Sequence, residues 1–371
     1  MFETYQETRM RGNGALASDV KLTRSKSSRL EHTDLVNPGF GVEFADHMLS
    51  MVYADGEWKS PEIIPFDTIE LSPAMLTLHY GQAIFEGMKA FQSVDGSVNM
   101  FRPDAHHRRF VQSCRRICLP EIGFEEFMQG ITTLIDVDRQ WVPETRGNAL
   151  YIRPFVFATD EMLSVKVSKT YRFLTITSPV GAYYKEGFNP VSLITSDEYV
   201  RAVRGGVGNI KAPGNYAASL LPAKQAEEQG YTQVLWLDAF EKKYVEEVGT
   251  MNIMFVIDDV LITPPLEGAI LPGVTRDSAL KIAKDWGKTV VERRISIDEV
   301  FESARDGSLQ EVFGTGTAAV ISPVGSIHHR GDTIAVNGEG IGPLAESLFK
   351  EITGIQYGEK EDRFGWIYSL S

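Results

Sequence analysis

Lys211 is the residue whose neighbours in this 371-residue chain suggest covalent chemistry. It stands in Gly205-Gly206-Val207-Gly208-Asn209-Ile210-Lys211-Ala212-Pro213-Gly214-Asn215-Tyr216, a lysine bracketed by glycines before a helix opens. A phosphate loop of the Walker type requires Gly immediately before the lysine and Ser or Thr after it, and here those positions are Ile210 and Ala212. A Schiff-base lysine instead needs a fixed backbone, an amine desolvated enough for its pKa to fall, and room for a flat ring. Glycines that permit close backbone approach meet the last condition. An ordinary exposed lysine fits this segment too, so the reading of Lys211 depends on its partners.

A second segment, Val245-Glu246-Glu247-Val248-Gly249-Thr250-Met251-Asn252, sets two carboxylates just before an apolar strand. Strand alternation turns adjacent side chains to opposite faces, so at most one of Glu246 and Glu247 points into a site. A buried glutamate is costly unless it meets a cation, and a protonated pyridine nitrogen is such a partner; a solvated strand end is the plainer alternative. A third segment, Phe313-Gly314-Thr315-Gly316-Thr317-Ala318-Ala319, matches the dinucleotide pattern Gly-x-Gly-x-x-Ala. The residues after it, Val320-Ile321-Ser322-Pro323, are strand-like where that fingerprint requires a helix. What is left is a small-residue turn rich in amide donors, suited to a phosphate or a carboxylate. Pro272-Gly273-Val274-Thr275 opens a helix and offers a second anion seat, where free amides and the helix dipole converge.

A mixed scaffold must hold these segments. Asp-Gly signals at Asp55-Gly56 and Asp95-Gly96 join strand candidates at 47–53 with 57–65 and at 88–91 with 98–101. Helices are expected at 103–117, with Pro103 in the first turn, and at 124–141, ended by Val142-Pro143. Strands return at 149–158 and 171–177, and the stretch 183–190, with Gly187 and Pro190, is the best linker candidate. Beyond it the patterns predict strands at 191–195, 232–238, 289–294 and 311–313, helices at 215–229, 275–287 and 298–306, and hairpins around 239–243 and Asp258-Asp259. No regular βαβ repeat appears, so the expected fold is α+β/mixed without a doubly wound parallel sheet. Two α/β domains with the site at their interface are expected: residues 1–184, including a polar arm at 1–35, a linker at 185–192, and a larger domain at 193–371.

Composition narrows the partners. A hydrophobic content of 43% suits a globular protein, and a net charge of −13 argues against a nucleic-acid backbone, whose binding needs clustered Lys and Arg. The basic cluster His106-His107-Arg108-Arg109 with Arg115-Arg116 reads mostly as the solvated face of a helix. Cys114 and Cys118, on that same helix, have no accompanying metal motif and read as a reduced thiol pair. No apolar run is long enough for a bilayer span and the first twenty residues lack the apolar core of a signal peptide, so a cytoplasmic location is expected.

Taken in order, Phe85-Glu86-Gly87-Met88-Lys89, Lys211 in its Gly and Asn setting, Glu247 to Asn252, Leu271-Pro272-Gly273 and Gly316-Thr317-Ala318 resemble the branched-chain amino-acid aminotransferases. These are class IV, fold-type IV enzymes that use pyridoxal 5'-phosphate (PLP). The resemblance runs from about Phe40 to Tyr357, and its Glu-x-x-Thr-x-Asn signature with an upstream lysine is highly specific. It implies PLP held as a Schiff base on Lys211, which shuttles the proton between the substrate α-carbon and the cofactor. Glu247 is implied to pair with the pyridinium nitrogen, and Tyr216 to bond the ring oxygen. The phosphate is implied to meet Arg109, the amides of Val274 and Thr275, and Thr317. Thr250, Leu271, Gly273 and Gly316 complete the implied cofactor site, and Arg201 lies near it, at the cofactor or in a structural ion pair.

The same resemblance implies that L-leucine, L-isoleucine and L-valine give their amino group to 2-oxoglutarate in a ping-pong cycle. One pocket must then take both an aliphatic side chain and a carboxylate, which is costly to bury unpaired. The family solution is a box with an arginine at its edge, here Phe40, Phe85, Tyr151, Tyr183 and Thr250 with Arg153; Tyr151 and Arg153 share a strand face. The α-carboxylate is expected on the Thr317-Ala318 turn, with Tyr80 and Val165 reaching in from the partner subunit of a homodimer. Arg153 and the length of the match argue against a D-amino-acid aminotransferase or an aminodeoxychorismate lyase. The presence of Lys211, Glu247 and Tyr216 argues against a catalytically silent binding protein. Ala319 and Ser322 stand where mammalian members carry a Cys-x-x-Cys redox pair, and Pro213 replaces a common Gly, which is expected to stiffen the loop.

Overall fold

The computed structural model describes residues 20–181, 183 and 188–371. Two sheets organise them. The first runs Lys21–Leu22, Glu62–Pro65, His47–Ala54, Tyr171–Val180, Ala149–Ala158, Met88–Gln92, Val98–Phe101 and Ile367–Leu370, with Glu57–Trp58 and Ala83–Phe85 on side pairings. The second runs Val245–Val248, Gln233–Leu237, Val191–Thr195, Val320–His329, Leu309–Gly316, Met251–Ile257, Val260–Thr263 and Val290–Glu292, with Asp332–Ala335 beside Val320–His329. Parallel and antiparallel pairings mix in both.

Alternation explains how Ala149–Ala158 serves both core and site. Leu150, Ile152 and Val156 are fully buried against the helices Pro103–Arg116 and Phe124–Val137, while Tyr151, Arg153 and Phe155 face the cleft. Phe110, Phe127 and Phe173 anchor that first core. A separate core joins the two sheets: Phe91, Phe101 and Val180 pack with Met254 and Phe313 and with the helices Val274–Asp285 and Pro343–Gln356.

Several elements differ from expectation for identifiable reasons. The helix expected at 215–229 is two, Pro213–Ala217 and Leu220–Glu228. Pro222 has no N–H to give the Ala218 carbonyl, and the Ser219 hydroxyl instead donates to the Tyr216 carbonyl at 2.7 Å. The helix expected at 124–141 ends at Val137, where the Asp138 carboxylate accepts the His47 backbone N–H at 2.9 Å and meets its ring at 2.6 Å. The strand expected at 57–65 is two short ones, while those near 311 and 320 extend to Leu309–Gly316 and Val320–His329.

Helix Pro343–Gln356 and strand Ile367–Leu370 were not foreseen. The latter pairs with Val98–Phe101, so the unit expected at 193–371 gives its last strand to the first sheet. Of the expected arm, Lys21–Leu22 pairs with Glu62 and Ile63, and residues 1–19 lie outside the described residues, as do 185–187 of the expected linker.

The basic cluster is not uniformly solvated: His106 and Arg109 are buried, whereas Arg108, Arg115 and Arg116 are exposed. Cys118 lies beyond the helix end, exposed, and Cys114 is buried; both are free. No described helix is long and apolar enough to cross a membrane, and no described group of three His, Cys, Asp or Glu could hold a metal ion.

Candidate active site

A cavity of about 680 Å³ opens between the sheets, with Lys211, Tyr216, Glu247, Arg109, Arg153 and residues 315–318 on its wall. Residues of the first sheet and its helix pin the Lys211 backbone. Its N–H donates to Ser113 Oγ at 3.1 Å and its carbonyl accepts the Phe85 N–H at 3.0 Å. Asn215 tightens the same loop by donating to the carbonyls of Val207 and Ile210.

The Lys211 Nζ donates to the Tyr216 phenol oxygen at 2.6 Å and lies 4.7 Å from the Phe85 ring centroid. Burial, with the Arg109 guanidinium behind it, pushes its pKa down to about 8, against the pull of Glu86. Burial pushes the Tyr216 phenol up to about 12, so it stays protonated beside the amine. The arrangement is a fixed amine that loses its proton far more readily than an ordinary lysine, as carbonyl capture requires.

Glu247 is placed by register. The Gly249-Thr250 turn pairs Glu247 with Asn252 across the hairpin; Gly249 sits at φ 52°, and a Cβ there would collide with the Gln233 side chain. Glu247 Oε1 accepts Asn252 Nδ2 at 3.0 Å and the Leu271 N–H at 2.9 Å, and Oε2 lies 2.6 Å from Arg201 Nε. Burial pushes the Glu247 carboxyl up, and Arg201 is the main cation opposing it. Glu246 faces the other way, into a separate 330 Å³ surface pocket, where burial pushes it up to about 7. Arg201 stands behind Glu247 in that ion pair, is not among the residues lining the cavity, and also donates to the carbonyls of Gly208 and Ala269.

Two anion seats converge on the cavity. Gly273 caps the helix Val274–Asp285, whose first N–H groups have no intrahelical partner; a Cβ at Gly273 would collide with Asn252 Oδ1. Beside it, Arg109 donates to Pro272 O at 3.2 Å while Glu86 holds the rest of its guanidinium. The other seat is the turn at 315–318, where Thr315 Oγ1 is buried without a hydrogen-bond partner among the described residues and Lys89 Nζ donates to Ala318 O at 2.7 Å. A buried amine, a carboxylate, a phenol and two amide-rich seats in one cavity fit a phosphorylated pyridine aldehyde, PLP.

On the substrate side Arg153 Nη2 donates to the Tyr151 hydroxyl at 3.1 Å, its guanidinium lies 4.8 Å from the Phe85 centroid, and its buried Nε has no hydrogen-bond partner among the described residues. Phe40 meets Tyr151 and Tyr183 at 5.5 and 4.9 Å between centroids. Thr250, Leu271, Val274, Thr275, Gly316, Thr317 and Ala318 also line the cavity. Tyr80 and Val165 do not; they are 41% and 82% exposed, next to exposed Leu78, Leu163 and Val167.

Asn252, Glu86 and Lys89 were quoted in the motifs but given no role. The hairpin register was the available signal for Asn252, and two charged residues in the otherwise apolar stretch 83–91 were the signal for the other two.

The family described as Amino-transferase class IV matches residues 83–327. The chain belongs to the class IV aminotransferases. Among members similar to it, Bacillus subtilis (strain 168) "Branched-chain-amino-acid aminotransferase 2" is 49% identical over 348 residues, covering 94% of this chain and 95% of that one. A Staphylococcus aureus (strain MRSA252) "Probable branched-chain-amino-acid aminotransferase" is 51% identical over 338 residues, covering 91% and 94%. The solved branched-chain amino acid aminotransferase from Thermobaculum terrenum, in its PLP-form, is 25% identical, with a TM-score of 0.70, covering 86% of this chain and 98% of that one. For this class IV aminotransferase the expected mixed α and β, fold-type IV architecture therefore holds.

Proposed function

We propose that this protein, with PLP on Lys211, moves the amino group of L-leucine, L-isoleucine and L-valine to 2-oxoglutarate, giving the branched-chain 2-oxo acids and L-glutamate. The observation that carries this reading is one cavity in which a buried amine, Lys211, and a guanidinium, Arg153, are set among aromatic side chains. The names and coverage of the relatives support the substrate class, and the PLP-form of a solved one supports the cofactor.

PLP, when bound, supplies the electrophilic carbon that receives the amino group and the electron sink that acidifies the substrate α-carbon. Lys211 Nζ, neutral once its lowered pKa is passed, would be the base that takes the proton from that α-carbon and carries it. The Tyr216 hydroxyl orients the amine. Glu247, kept ionised by Arg201 against the effect of burial, holds the ring nitrogen protonated through a charge-assisted bond of about 1.5–3 kcal/mol. Arg109, the amides of Val274 and Thr275, and Thr317 hold the phosphate. The Thr317-Ala318 turn takes the substrate α-carboxylate.

Arg153 reconciles the two side chains. With leucine bound it stays on Tyr151 and Phe85; with glutamate its guanidinium fork meets the carboxylate. The exposed apolar group Leu78, Tyr80, Leu163, Val165 and Val167 supports a homodimer in which the partner's copies of Tyr80 and Val165 close the pocket. A cytoplasmic location belongs to the same reading, supported by the free cysteines.

Purified protein supplied with PLP, L-leucine and 2-oxoglutarate should form glutamate, and borohydride should fix the cofactor to Lys211. Activity confined to D-alanine would overturn the substrate assignment. A fully active monomer would overturn the shared pocket.

A further inference from the structure

Arg102, His106 and Arg109 lie along one buried face of the helix Pro103–Arg116. Glu86 accounts for His106 and Arg109, but nothing above uses Arg102. It caps this helix at φ 51° and ψ 48°, in the left-handed region, where N-caps are usually extended Ser, Thr, Asp or Asn. A residue with a Cβ stays there only where its surroundings hold it.

The chain end does so: the Arg102 N–H donates to Trp366 O at 2.7 Å, and its guanidinium lies 4.9 Å from the Trp366 ring centroid. The guanidinium itself crosses to the other domain. Its Nη2 is 2.6 Å from Asp277 Oδ2, and its Nη1 donates to Ser278 Oγ at 2.7 Å and to Val274 O at 3.4 Å. These acceptors sit at the start of the helix Val274–Asp285, whose first amides form an anion seat. A cation there opposes the helix dipole, so Arg102 is not placed to stabilise that helix as such. Arg109, farther along the same face, takes the Pro272 carbonyl on the other side of the seat.

We propose that Arg102 is a positioning residue that, together with Arg109, clamps residues Pro272 to Ser278 so that the Val274 and Thr275 amides are aimed at the cofactor phosphate. This rests on the reading of that helix start as the phosphate seat. Arg102 touches no phosphate itself; it sets the register of the seat against the domain that carries Lys211's supports, Phe85 and Ser113. Its effect is therefore on phosphorylated ligands and not on the aldehyde ring.

The test titrates the full chain, stripped of cofactor, with PLP and in parallel with pyridoxal, which lacks the phosphate. Wild-type protein that does not prefer PLP refutes the seat itself, whatever Arg102 does. Given that preference, Arg102→Met should weaken PLP by about tenfold while pyridoxal changes less than about twofold, and Arg102→Lys should recover part of the loss. Asp277→Asn, at a half-exposed partner, should lower the PLP-to-pyridoxal ratio in the same direction and decides the matter if Arg102→Met does not fold. A wild-type ratio in these variants, or equal losses for both ligands, overturns the proposal.

Discussion

Arg109 grips both oxygens of Glu86, Nε to Oε2 at 2.9 Å and Nη2 to Oε1 at 2.5 Å, and Glu86 is wholly buried. Burial alone would raise the Glu86 pKa, yet Arg109 and then His106 hold the carboxyl well below the usual carboxylate range. The pair aligns the guanidinium beside the Pro272 turn, where the phosphate is proposed to sit.

Removing one partner strands the other charge. Glu86→Ala should cost roughly 3–5 kcal/mol in urea unfolding of the cofactor-free protein and weaken PLP. A loss below about 1 kcal/mol would mean that solvent already satisfies Arg109.

Capture of PLP should follow the Lys211 amine. Its neutral form grows as pH rises towards its lowered pKa of about 8, so the capture rate of the cofactor-free protein should climb below that pH and level above it. Stopped-flow absorbance measures this; a rate still climbing near pH 10, as for an ordinary lysine of pKa about 10.4, would contradict the desolvated amine. Lys211→Ala should leave no borohydride-fixed cofactor.

Arg201 is the main cation holding the Glu247 carboxyl down against burial. Arg201→Met should therefore raise the Glu247 pKa further, and the acid limb of the kcat profile should move towards neutral pH. An unmoved acid limb would show that Asn252 and the Leu271 amide suffice.

Arg153 distinguishes the two half-reactions. Arg153→Met should raise KM for 2-oxoglutarate by about 30-fold, equivalent to roughly 2 kcal/mol for a lost charge-assisted bond, and change KM for leucine by less than about threefold. Equal effects on both would assign Arg153 to packing against Phe85 and Tyr151.

The chemistry was legible where it depends on neighbours in the chain. Strand alternation separates Glu246 from Glu247, and Gly273 before Val274 announces a helix start with free amides, whereas the turn that sets Glu247 opposite Asn252 is seen only in the structure. The glycine bracket around Lys211 was ambiguous by itself, and its order among the other motifs resolved it. Helix ends were less legible, because a single proline at 222 or a carboxylate at 138 overrides the periodicity around it.

The sequence by itself determined a mixed α and β fold without a regular βαβ repeat, and through its resemblance pointed to the family and to the amine, phenol and carboxylate. The fold class follows from short-range backbone pattern and residue type, and the rest from motifs matched in order. Only the tertiary structure decided that Glu86 holds Arg109, that Arg201 stands behind Glu247, that Lys89 reaches Ala318, and that Arg102 crosses to Asp277 under a chain end that returns to the first sheet. Each joins residues distant in sequence, and its strength comes from burial that appears only when the two sheets close on their common core.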